Sequence, residues 1–95
     1  MLKLDPEEER LLRALGSFSR LKILAALWRA EKKLIVHRIC QSTGLNRTTV
    51  RYNLSKLMEC GLVSRRLYGS MSLYTINTEN PKARALIDFL HKILS

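Results

Sequence analysis

The chain has 95 residues, 46% of them hydrophobic and 26% charged, with 17 Lys and Arg against 8 Asp and Glu for a formal net charge of +9. That balance excludes an intrinsically disordered chain and leaves length for one modest core, so a single domain over residues 1–95 is expected. No apolar run approaches the roughly 20 residues that a membrane-spanning helix needs, and two cysteines exclude a disulfide-stapled scaffold.

Met1 to Arg10 is acidic and lacks the basic-then-apolar pattern of a secretory signal, so a cytoplasmic location is expected. Within it, Asp5-Pro6-Glu7-Glu8 reads as a helix start: Asp5 can cap, Pro6 suits the first helical position, and Glu8 stands where a capping-box acid belongs. Leu11, Leu12 and Leu15 give this helix, 5–15, an apolar stripe that ends at Gly16. Ser17 can cap a second helix, in which Leu21, Leu24, Leu27 and Trp28 recur at helical spacing until the charged run Arg29 to Lys33. Leu34-Ile35-Val36 is long enough only for an edge strand. His37 to Thr43 reads as a short helix, and Gly44-Leu45-Asn46 as a sharp turn ending in a new helix cap.

The helix predicted over 46–60 buries Val50, Leu54, Leu57 and Met58 on one face and stops at Cys60-Gly61. Leu62 to Tyr68 and Met71 to Ile76 are strand-like, and Gly69-Ser70 between them signals a β-hairpin. Asn80-Pro81 starts a last helix, 81–94, with Ala83, Leu86, Ile87, Leu90, Ile93 and Leu94 on one side and Phe89 bordering it. The fold class is therefore mainly α with a small β-hairpin, in the order helix, helix, (strand), helix, helix, strand, strand, helix.

Residues 16–78 hold eleven basic and two acidic groups, whereas 1–15 balance at −1 and 79–95 at +1. The whole positive excess is central, which points to a polyanionic partner, nucleic acid before an anionic membrane surface. No acidic residue stands between Glu31 and Glu59. The 46–60 helix turns Arg47, Thr48, Arg51, Tyr52 and Ser55 outward. Arg bonds two acceptors on guanine, Thr bonds bases or phosphates, and Tyr reaches a phosphate or a thymine methyl. An idle solvent face would use Glu, Lys, Ala and Gln, not Thr48, Thr49, Tyr52 and Asn53. Arg65, Arg66, Tyr68 and Ser70 surround the hairpin turn, where they can follow the backbone, enter the minor groove or keep an edge strand soluble.

Two strings carry a family resemblance. Ala14-Leu15-Gly16-Ser17-Phe18-Ser19-Arg20-Leu21-Lys22-Ile23-Leu24 resembles the second helix of ArsR/SmtB-type winged helix-turn-helix regulators. Thr43-Gly44-Leu45-Asn46-Arg47-Thr48-Thr49-Val50-Arg51-Tyr52-Asn53-Leu54-Ser55-Lys56-Leu57 is similar to their turn and recognition helix, and Gly61-Leu62-Val63, Arg65-Arg66, Gly69 and Tyr74 match the wing. The resemblance covers residues 14–76 and implies a winged helix fold, a homodimer and a pseudo-palindromic double-stranded DNA operator. The site residues expected on DNA are Arg47, Thr48, Arg51, Tyr52, Asn53 and Lys56 from the helix and Arg65, Arg66 and Ser70 from the wing.

Other family features are missing. Where many relatives place paired thiolates, this chain reads Leu34-Ile35-Val36-His37-Arg38-Ile39-Cys40, with Ile35 and His37 in place of the pair. Asp88 and His91 stand alone in the last helix, and two ligands do not close a zinc site that needs four. No metal and no cofactor is therefore expected. His37 is left as a surface residue, a helix cap or a phosphate contact. Cys40 and Cys60 read as small packing residues ahead of a redox pair.

The terminal helices, 5–15 and 81–94, are the expected dimerisation elements, through Leu11, Leu12, Leu86, Phe89, Leu90 and Ile93. With no Ser/His/Asp set, no paired carboxylates and no phosphate-cradling glycine loop, no enzyme is expected. The leading reading is a dimeric sequence-specific repressor; the alternative is a winged-helix protein–protein adaptor in a transcription or replication complex.

Overall fold

Every helix but one begins where the sequence supplies a side-chain cap. The computed structural model describes residues 2–95; Met1, part of the domain expected over 1–95, lies outside them. Helix α1 (Pro6–Leu15) opens with a complete capping box: Asp5 Oδ1 accepts from Glu8 N–H at 2.7 Å and Glu8 Oε1 accepts from Asp5 N–H at 3.0 Å. Helix α2 (Phe18–Ala30) is capped by Ser17, α4 (Arg47–Glu59) by Asn46 and α5 (Pro81–Leu94) by Asn80. Helix α3 (Val36–Thr43) is the exception: its cap position is Ile35, whose side chain accepts nothing.

The order is α1, α2, α3, α4, β1 (Val63–Tyr68), β2 (Met71–Ile76), α5. The two strands pair antiparallel, Val63 opposite Ile76 and Tyr68 opposite Met71. The short segment after α2 is smaller than the predicted edge strand. Only Leu34 pairs, in a single bridge with Tyr74 whose N–H to carbonyl distances are 2.9 and 2.8 Å. Val36 already belongs to α3, and the first strand begins at Val63 because Leu62 is held in the turn by Leu57 O.

One core joins Ile23, Leu24, Ile39, Val50, Leu54, Leu57 and Leu62, all at most 1% exposed. Val63, Tyr74 and Ile76 from the hairpin and Ala83, Leu86 and Leu90 from α5 close its flanks. Apolar surface taken out of water stabilises by about 25 cal/mol per Å², which makes this burial the main stabilising term. The helix-turn-helix is α3 and α4. Its turn is set by Gly44, at φ 74°, and by buried Thr43, whose hydroxyl donates to Ile39 O at 2.7 Å and accepts from Leu45 N–H at 3.2 Å. The tail of α4 and the start of α5 are joined at Gly61 O, which accepts from the Asn77 and Asn80 side-chain amides at 3.0 Å each.

Candidate nucleic-acid interface

The face of α4 away from the core is made by Thr48, Arg51, Tyr52 and Ser55, all exposed. Arg47 and Arg51, one turn apart, line a cleft with the hairpin, and Lys56 lies with Arg10 and Arg13 of α1. Lys56 is half-buried, with Nζ 5.4 Å from the Tyr52 ring centroid and 3.8 Å from Glu59 Oε2. Its charge is thus shared within the helix, and the cation steadies the exposed tyrosine ring.

Asn53, expected among the groups facing DNA, is a correction. It is only 5% exposed. Its amide donates to Thr49 O at 2.9 Å, and its Oδ1 accepts from Arg20 Nη1 at 2.9 Å. The inward turn has a physical cause: the half-buried Arg20 guanidinium, also bonded to Ala14 O at 2.7 Å and Arg13 O at 3.0 Å, presents Nη1 to this face of α4, and Asn53 Oδ1 supplies an acceptor for it. Asn53 takes a place on the buried face, and Met58, predicted there, is half-buried instead.

Between α4, the N-terminal end of α3 and the hairpin lies a cleft of about 380 Å³. Arg47, Arg51, Arg65, His37 and Ser70 line it together with Met71, Ser72 and Tyr74, and no acidic side chain does. The structure therefore brings four of the predicted residues, Arg47, Arg51, Arg65 and Ser70, to one cleft. Ile35 supplies no side-chain cap, and Ile35, Val36 and His37 at the N-terminal end of α3 line this same cleft. Amides at a helix N-terminus beside three guanidinium groups suit a phosphate oxygen. His37, left open by the sequence, joins the site here. Met71 and Ser72 were missed; the hairpin register, which sets Ser72 opposite Leu67, was the signal that places them. Arg66 is exposed on β1, with a neighbour's alternation turning it to the other hairpin face from Arg65.

A profile of the family described as bacterial regulatory protein, arsR family, matches residues 18–65, the span from α2 through α4 into the first half of β1. The chain belongs to the arsR family. It is accordingly a DNA-binding transcription regulator with a winged helix-turn-helix fold, and the hairpin is its wing. Solved structures agree in fold over nearly the whole chain. HlyU from Vibrio cholerae N16961 is 26% identical, with a TM-score of 0.79 over 99% of this chain and 98% of that one. The transcriptional repressor PagR of Bacillus anthracis is 32% identical, with a TM-score of 0.73 over 88% and 92%. The homodimeric winged helix-turn-helix DNA-binding domain of Mb0332 from Mycobacterium bovis is 27% identical, with a TM-score of 0.76 over 98% and 89%. No curated protein sequence matches the chain significantly.

The other basic residues of this ArsR-family chain fall elsewhere. Lys22, Arg29, Lys32 and Arg38 ring a separate groove of about 570 Å³ between α2 and α3, floored by Ala25, Ala26 and Ala30. In α5, Asp88 pairs with Lys92 at 3.0 Å, and the His91 ring meets Trp28 edge-on with centroids 6.3 Å apart. Cys40 and Cys60 are free, half-buried and packed against the core. Among the described residues no helix is long and apolar enough to cross a membrane.

The expected dimer residues divide. Leu86 and Leu90 are 8% and 5% exposed inside the chain's own core, which corrects their placement on a partner surface. Leu11 is half-buried against that core. Leu12, Phe89 and Ile93 are 52%, 53% and 58% exposed. The cause is the width of the apolar arc on α5: one stripe faces α2, and an adjoining one faces outward.

Proposed function

We propose that the chain is a homodimeric repressor that binds a pseudo-palindromic operator in the cytoplasm. Thr48, Arg51 and Tyr52 read bases in the major groove; Arg47, His37 and the first turn of α3 hold a phosphate; Arg65, Arg66 and Ser70 carry the wing along the backbone or into the minor groove. Lys56 supports this face through Tyr52. The observation that carries the reading is an acid-free cleft in which Arg47, Arg51 and Arg65 converge from helix and wing.

The dimer surface is Leu12, Phe89 and Ile93, apolar and unpartnered within the chain. Two-fold symmetry would set two recognition helices on successive turns of the duplex, so half-sites mirror the protein. A repressor role has the support of PagR, a homodimer that of Mb0332.

Selection of bound duplexes from a random pool, with the mass of the free protein measured alongside, tests the whole reading. A palindromic consensus and a dimer mass are expected. A single half-site bound by a monomer would sink the symmetric operator, and binding without steep salt dependence would favour the adaptor.

A further inference from the structure

The wing ends in side chains that a purely backbone-tracking hairpin does not need. Leu67, Tyr68 and Met71 are 61%, 53% and 50% exposed, grouped around the Gly69-Ser70 turn. Edge strands are commonly kept soluble by charge or proline. Here the charges, Arg65 and Arg66, stand one step behind an apolar tip. Nor is the tip a loose end. The root of the hairpin is buried through Val63, Tyr74 and Ile76, and Leu34 bonds Tyr74 in both directions. The strands therefore project the apolar tip from an anchored base.

Its two sides differ. Lys33 Nζ lies 5.9 Å from the Tyr68 ring centroid, which ties that ring toward the connection between α2 and α3. Leu67 lies on the same face of the hairpin as Arg65 and Tyr74, and Met71 lines the cleft that Arg51 also lines. Leu67 thus shares one hairpin face with Arg65 and Met71 shares the other with Arg66, so the tip carries an apolar side chain beside an arginine on each face. Apolar side chains beside arginines are the equipment of minor-groove wedges: the guanidinium groups neutralise the backbone, and the apolar group enters between base pairs and kinks the duplex toward the major groove. A kink in that direction would close the duplex on α4.

We propose that Leu67 and Met71 form such a wedge, which partly unstacks one base step in the minor groove beneath each wing and bends the operator. This rests on the DNA reading above and adds a mechanism to it. Pyrimidine–purine steps unstack most readily, so the wing position would prefer TA or CA steps without any hydrogen bond to their edges.

The test uses the full chain and the duplex obtained by selection, with a stacking-quenched fluorescent adenine analogue at the step under the wing and donor and acceptor dyes at the duplex ends. Wild-type protein should raise the analogue's fluorescence at that step alone and shorten the end-to-end distance. Both residues are solvent-exposed, so the double variant Leu67→Ser, Met71→Ser should keep its fold, checked by circular dichroism. That variant, brought to saturation on the duplex at raised protein concentration, should leave fluorescence and distance near those of free DNA. Its preference for a pyrimidine–purine step should fall from about tenfold toward none, the size of one base-pair discrimination. Tight wild-type binding with unchanged stacking and a straight duplex would overturn the wedge alone. Equal bending by the double variant would overturn it too. Absence of salt-dependent duplex binding by the wild type would overturn the wedge together with the DNA reading.

Discussion

Arg20 Nη1 donates to Asn53 Oδ1 at 2.9 Å, and through this one bond the end of α1 is tied to the recognition helix. The same guanidinium holds Ala14 O and Arg13 O in the last turn of α1; Arg13 O also accepts from Gly16 N–H at 3.2 Å. If α1 is part of the dimer surface, Arg20 and Asn53 link partner contact to the orientation of α4.

Asn53→Ala should cost about 1–3 kcal/mol, because it leaves a charged, half-buried donor unmatched. Arg20→Ala should cost a similar amount by removing the bonds to Ala14 O, Arg13 O and Asn53 Oδ1. The double variant should lose less than the sum, with a coupling of about 1 kcal/mol or more, since the pair shares one network. Urea unfolding of the four proteins gives the cycle. Strict additivity would mean that the bond contributes nothing to stability.

Much of this arrangement is legible in the sequence. Asp5, Ser17, Asn46 and Asn80 announce four helices because a cap is a local event, decided by residues two or three positions apart. Asn53 was not readable. Its inward turn depends on Arg20, 33 residues away, and periodicity sees only the residue's own helix. Glu31 closes α2 at φ 59°, in a left-handed conformation for which the sequence offers no glycine. The apolar arc of α5 was legible as a whole, but its division between core and outer surface follows from where α2 lies.

Arg51 and the wing arginines should respond differently to substitution. Arg51→Ala should weaken the selected operator by about 1–3 kcal/mol and flatten base preference at one position. Arg65→Ala with Arg66→Ala should weaken all duplexes alike and reduce the slope of affinity against salt by about one unit per lost phosphate contact. Titrations at several salt concentrations, on selected and random duplexes, separate the two. A uniform loss on Arg51→Ala would remove it from base readout.

Two glycines at φ 74° should differ in their tolerance of alanine. Both substitutions incur the left-handed backbone penalty of about 1–2 kcal/mol. At Gly44 the added methyl meets open space. At Gly61 it would stand 2.8 Å from Asn80 Nδ2, an amide fixed by Gly61 O on one side and, through its Oδ1, by Lys82 N–H on the other. Gly61→Ala should therefore be clearly the more damaging in thermal unfolding, since it disturbs the cap of α5 as well. Equal losses would show that Asn80 moves aside freely.

The two sides of α5 give the last contrast. Leu90→Ala opens a cavity in the core and should destabilise the chain by about 2–5 kcal/mol. Phe89→Asp with Ile93→Asp changes side chains that are more than half exposed, so the chain should keep its far-ultraviolet spectrum. If those residues form the dimer surface, the aspartates would be buried without partners against a second copy, and the protein should become monomeric. Operator affinity should then fall steeply, because each recognition helix would bind its half-site alone. Sedimentation of the two variants at equal concentration decides the point. A dimer that survives both aspartates would move the interface away from α5.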